Sequence, residues 1–128
     1  MADIEELERQ FTLRSAAARF EELRSRDSLA GDDVAPLVRE EALELLALGE
    51  VMARKAAYGR QLSVRSARAA GASWAEIGAA LGTSRQAAWE THQRWIDGQA
   101  QKYGAIGEIG FDEDDVAAAR TLAGDATS

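Results

Sequence analysis

The amino-acid sequence predicts an all-α fold: two long amphipathic helices, then a compact three-helix unit, then a short C-terminal helix. Three observations carry that prediction. Apolar residues recur at three- and four-residue spacing along most of the chain, the period of one helix face. Gly, Ser and Asp interrupt those runs where helices start and stop. No stretch alternates polar and apolar residues as a half-buried strand would, and no segment repeats another.

The first helix is expected from Asp3 to about Ser28, a span without Gly or Pro. Its apolar positions Ile4, Leu7, Phe11, Leu13, Ala17, Phe20 and Leu23 form a stripe that slips between Phe11 and Leu13. Gly31 breaks it, and Asp32 or Asp33 is expected to cap a second helix with Pro36 in its first turn. That helix runs to about Tyr58 with a broad apolar face that includes Leu45, Leu46, Leu48 and Met52. Gly59 to Ser63 reads as a break, with Ser63 capping a shorter helix over Val64–Ala70. Ser73 caps the next helix, Trp74–Leu81, with Glu76 three residues beyond it as in a capping box. Gly82 ends that helix, and Ser84 opens another over Arg85 to about Ile96. Beyond Gly98, glycines at 104, 107 and 110 suggest a linker, and a last short helix begins near Asp112. The expected organisation is therefore 1–60 as helical arms, 61–98 as the three-helix unit, and 99–128 as a linker and acidic tail.

Composition narrows the function. The chain of 128 residues has no Cys and a single His, His92, which excludes disulfide scaffolds, thiolate zinc sites and His-rich metal centres. The opening MADIEELERQ is polar and acidic, and no run approaches the roughly 18 apolar residues of a membrane span, so a cytoplasmic, nucleoid-associated location is expected. The formal charge of −7 is unevenly spread. Val51–Lys102 holds eight basic and three acidic residues, a local +5, leaving −12 on the remainder. A basic segment inside an acidic chain is the asymmetry expected where one part faces phosphate. Ser, Asp and Glu are present without a nucleophile–base pair, phosphate loop or metal cluster, so neither catalysis nor a cofactor is expected.

Ser73–Trp95 carries the sharpest signal: two short helices meeting across Gly82-Thr83 are the plan of a helix-turn-helix. Trp74, Ile77 and Leu81 share one face of the bracing helix, and Ala88, Thr91 or His92, and Trp95 supply the opposing face. Gly78 lies where the two helices approach most closely. The outward set on the second helix is Ser84, Arg85, Gln86, Trp89, Glu90 and Gln93, of which Ser84, Arg85, Gln86, Trp89 and Gln93 are the candidate base contacts and Trp89, as an indole, also suits a core contact. Arg pairs bidentately with guanine and Gln with adenine, which favours Arg85 and Gln86 in the first turn. Ser73, Arg65, Arg68, Arg94 and Lys102 suit phosphate contacts. His92, with no acidic or nucleophilic partner at a defined spacing, is expected to be packed.

The run RAAGASWAEIGAALGTSRQAAW resembles the helix-turn-helix of small actinobacterial DNA-binding proteins, and more loosely those of sigma-factor C-terminal regions and resolvase DNA-binding tails. The likeness covers about a quarter of the chain, Ser63–Trp95, through Trp74–Gly78, Leu81-Gly82 and Ser84–Ala88. It implies a three-helix DNA-reading unit with the helix through Arg65 and Arg68 packed behind the pair. Thr83 and His92 depart from it, standing where that group more often buries aliphatic or large apolar residues. The function so implied is sequence-specific binding of double-stranded DNA by a transcriptional regulator. One recognition helix offers little contact, so a homodimer reading two half-sites is expected, paired through Leu7, Phe11, Phe20, Leu23 and the Leu45–Met52 face, the alternative being an intramolecular helical hairpin folded back on the DNA-binding unit. The alternative is a helical protein-interaction module, adaptor or antitoxin-like, that meets a protein partner through its N-terminal helices or acidic tail.

Overall fold

The computed structural model describes residues 2–106 and 109–128. Gly107 and Glu108, placed by the sequence in the linker and acidic tail, lie outside the described residues. All regular structure among the described residues is helical: α1 (Ile4–Gln10), α2 (Leu13–Ser28), α3 (Arg39–Tyr58), α4 (Arg60–Ala69), α5 (Trp74–Leu81), α6 (Arg85–Ile106) and α7 (Glu113–Ala123). No helix among them is long and apolar enough to cross a membrane. The chain divides into two compact units, 1–59 and 60–128, each around its own apolar cluster.

In the first unit α1 and α2 both pack on α3 and bury Leu7, Ala16, Leu23, Leu45, Leu48 and Val51. The single helix expected from Asp3 to Ser28 is two helices. Thr12 takes an extended conformation and caps α2, its Oγ1 accepting from Ser15 N–H at 3.1 Å while Ser15 Oγ accepts from Thr12 N–H at 2.9 Å. This break is the cause of the slip in the apolar stripe. The start of α3 also differs from expectation. Asp32 and Asp33 lie in a bend and Pro36 precedes the helix, which opens where the Glu41 carboxylate accepts from Val38 N–H at 3.2 Å. Of the residues assigned by sequence to pairing between chains, Leu7, Leu23, Leu45 and Leu48 are buried inside the unit together with Val51; Phe11, Phe20 and Met52 are half-buried against them, and Leu46 of the Leu45–Met52 face is exposed.

In the second unit α5 and α7 pack on α6, and α4 touches all three. Ser63 lies within α4, which already begins at Arg60 and not at Ser63. The linker and solvated tail expected from residue 99 give way to a different arrangement. α6 continues through Gly98 to Ile106, and α7, capped by Asp112, returns to bury Ala119 and Ala123 in the unit's core. The reason is an apolar stripe of Phe111, Val116, Ala119 and Ala123 that a charge-led reading of the acidic tail overlooks.

Candidate nucleic-acid interface

α5 starts at a complete capping box, in which Ser73 Oγ accepts from Glu76 N–H at 3.1 Å and Glu76 Oε1 accepts from Ser73 N–H at 3.0 Å. These bonds hold the Glu76 carboxyl below its ordinary range. The helix ends at Gly82 with φ 71° and ψ 30°, left-handed backbone that Gly adopts without penalty. Thr83 N–H then donates back to Gly78 O at 2.8 Å and Gly82 N–H to Ala79 O at 3.3 Å, a Schellman closure. The turn folds directly over Gly78: a Cβ there would stand 2.8 Å from Thr83 O and 2.9 Å from Ser84 C. Ser84 caps α6 by accepting from Ala87 N–H at 3.1 Å, which sets Arg85 and Gln86 in the first turn, both exposed.

The remaining candidates separate into two groups. Arg94 is exposed two to three turns further along α6, its guanidinium donating to Thr91 Oγ1 at 3.1 Å, and Ser73 is half-buried at the start of α5. Arg65 is exposed with its guanidinium 5.6 Å from the Phe111 ring centre. Lys102, near the other end of α6, lies about 25 Å along the axis from Arg85 at 1.5 Å per residue. The others are engaged with the returning C-terminal segment. Trp89, outward on the helical register but suited as an indole to a core contact, is half-buried and donates from Nε1 to Gly124 O at 2.8 Å. Gln93 Oε1 accepts from Arg120 at 2.7 Å, and Arg120 also pairs with Asp97. Arg68 donates to Leu122 O at 3.2 Å, Ala72 O at 3.0 Å and Ser128 Oγ at 3.0 Å. Leu81, expected inside with Trp74 and Ile77, is 41% exposed.

Behind the helices runs a ladder of rings. His92, only 2% exposed, stands 5.5 Å from Trp74 and 5.3 Å from Trp95, and Trp95 meets Phe111 edge-on at 5.3 Å. Arg68 covers Trp74 at one end. Burial first, then the Arg65 and Arg68 charges, push the His92 imidazole down to about 4, so it is neutral near pH 7. Its Nδ1 donates to Gln61 Oε1 at 2.9 Å. It is a packed core group, and no three-residue His, Asp or Glu cluster suited to a metal occurs among the described residues.

Two groups on or against α6 have roles that the sequence did not assign: Glu90, read only as outward, and Arg120. Glu90 Oε1 accepts from Gln86 Nε2 at 2.9 Å, a contact legible from i,i+4 spacing. Arg120 has no such signal: the sequence places a short helix from about Asp112, as α7 is, but nothing local says that the helix returns to α6. The basic segment also contracts, because Arg54 and Lys55 belong to the first unit, where both bond Glu8. No family model, curated protein or solved structure matches the chain.

Proposed function

We propose that the protein binds double-stranded DNA in a sequence-specific way, as a transcriptional regulator, with α5 and α6 acting as a helix-turn-helix. The observation that carries this reading is the pair Arg85 and Gln86, exposed together in the first turn of α6 behind a turn tight enough to demand glycine at 78. In the major groove a guanidinium meets guanine O6 and N7, and a carboxamide meets adenine N6 and N7. Glu90 holds the Gln86 amide and so fixes which way it presents its donors. Ser73, Ser84, Arg65 and Arg94 are assigned to backbone positioning around that turn. Trp89, Gln93 and Arg68 are assigned to the framework, because their polar atoms hold the C-terminal segment. The reading calls for no cofactor and no catalysis.

The test is selection of bound sequences from random duplex DNA at moderate salt, with wild-type protein and the double variant Arg85→Ala, Gln86→Ala. An enriched motif is expected, and removing either bidentate pairing should weaken binding to it by about tenfold or more. No enriched motif, or a double variant that binds the motif as tightly as wild type, refutes the reading. A second reading, a helical module that binds protein, is favoured by Glu90 and Asp97 on α6 and by the acidic first turn of α7. It predicts that the double variant retains any DNA association the wild type shows, at every sequence.

A further inference from the structure

The outward face of α3 has no covering helix in the first unit. Arg39, Ala42, Leu43, Leu46, Ala47 and Glu50 follow one another along it, with Leu46 73% exposed at its middle. An open groove of about 1120 Å³ runs over this face, with Phe20 and Arg24 of α2 at its side. Gly49 helps to shape it: Phe20 Cε2 lies 3.5 Å from where a Cβ on Gly49 would sit, so the ring rests low against α3.

The order of residues on this face has a symmetry of its own. Reversed about the point between Glu44 and Leu45, the stripe places Leu43 on Leu46, Ala42 on Ala47, and Arg39 on Glu50. Apolar residues map onto apolar ones of like size, and the one exchange of character is between opposite charges. We propose that this face pairs two copies of the chain, α3 against α3, antiparallel about a twofold axis.

A twofold interface requires a surface complementary to itself, because each contact occurs twice with the roles exchanged. In this register Leu43 of each copy packs against Leu46 of the other, and small Ala42 and Ala47 let the helices approach. Each Arg39 faces Glu50 of the second copy at the rim. A parallel arrangement would set Arg39 beside Arg39 and Glu50 beside Glu50, so the charges select the antiparallel one. Glu50 already accepts from Arg54 Nε at 3.1 Å through one oxygen, and its second oxygen serves the other copy. The inference stands on the first unit alone and does not depend on DNA binding.

Sedimentation equilibrium of the full chain, from about 1 to 200 μM, tests it, and self-association is expected within that range. Leu46→Asp should be monomeric throughout with unchanged helical circular dichroism, since Leu46 contributes little to its own unit's core. Arg39→Glu and Glu50→Arg should each weaken pairing by about tenfold, because each sets two like-charged pairs at the rim. The double variant carrying both should recover wild-type affinity, a result that does not depend on how Leu46→Asp folds. A wild type that stays monomeric at the highest concentration overturns the proposal. So does a double variant no tighter than the singles, or a folded Leu46→Asp protein that still pairs like wild type.

Discussion

The two units are both small helical clusters, yet they are fastened differently. In the first, an aliphatic core of Leu, Val and Ala is tied between helices by carboxylate–guanidinium pairs: Arg19 to Glu44 at 2.7 Å, Arg26 to Glu41 at 2.6 Å, and Arg54 to Glu8 at 3.4 Å. In the second, aromatic rings fill the interior and polar side chains reach backbone carbonyls at the end of α7, as Trp74 does to Ala123 O at 2.7 Å. Long charged side chains on adjacent helices pair in several rotamers and tolerate change. A buried indole N–H aimed at one carbonyl fixes the chain end in one place, and losing that carbonyl leaves a donor stranded. The first unit should therefore yield gradually to substitution, and the second should depend on its last residues.

Ending the chain at Gly110 is the harshest test of that contrast. It strips Phe111, Val116, Ala119 and Ala123 from the core and leaves Trp74 Nε1 without its acceptor, a loss of several kcal/mol against a domain stability of about 5–15 kcal/mol. All three Trp residues lie in the second unit, so red-shifted emission and loss of a urea transition would report its unfolding. Helical signal from the first unit should persist. Native-like emission from the truncated chain would break the contrast.

Glycine substitutions sharpen it next. Gly49→Ala in α3 brings a Cβ to 3.5 Å from Phe20, ordinary contact, and gains helix propensity, so stability should rise by up to about 1 kcal/mol. Gly78→Ala gains the same propensity but meets backbone at 2.8 Å that cannot swing aside, and should cost about 2–3 kcal/mol. Urea midpoints of the two variants with opposite signs would establish that the turn, and not helix propensity, sets Gly78. Equal signs would show the turn to be adjustable.

What the sequence disclosed and what it hid follow one rule. Helix existence, the Ser73–Glu76 box, the Gly82 stop and the packed state of His92 were legible because each depends on residues within one turn or on one periodic face. The break at Thr12 left its mark as a slip of phase, but its cause, a Thr–Ser box, resembles any two hydroxyl residues. Long-range partners left no local mark. Nothing near Trp89, Gln93 or Arg68 announces that Gly124, Arg120 and Leu122 will meet them. The charge of residues 112–115 concealed the apolar stripe on the same helix. Arg85 and Gln86 were legible as exposed because a helix N-terminus after a tight turn has few neighbours to bury it.

Acid separates the units by mechanism. His92 has an ordinary value of 6.5 and about 4 when folded, so between those values the unfolded chain binds the extra proton. Its contribution is complete above pH 6.5 and is lost as pH falls toward 4, about 2 kcal/mol of it between pH 7.5 and 5. In the first unit Glu41 is lowered by its bonds to Arg26 and Val38, so its contribution is lost only as pH falls below the ordinary 4.5. Urea midpoints followed by Trp emission should therefore drop between pH 7.5 and 5 while helical circular dichroism of the first unit holds. His92→Phe should flatten the Trp-monitored slope, whatever it costs at neutral pH through Gln61. A slope unchanged in that variant would assign the titration elsewhere.

The smallest effect tests whether the ion pairs of the first unit matter at all. Arg19 reaches Glu44 through both Nε, at 2.9 Å, and Nη2, at 2.7 Å, with both side chains less than a third exposed. That geometry is better than most surface pairs have, and it joins α2 to α3 across 25 residues of sequence, so a coupling of about 0.5–1 kcal/mol is expected at low salt. A double-mutant cycle with Arg19→Met and Glu44→Gln isolates it, read by circular dichroism at two salt concentrations. At about 1 M salt, where screening acts within roughly 3 Å, the coupling should fall toward zero. The Trp-monitored transition should not move in any of the four proteins, because the pair lies wholly in the first unit. A coupling that survives high salt would mean that the aliphatic stem of Arg19 packs on α3 and contributes by burial, which would make the fastening of this unit less electrostatic than its geometry implies.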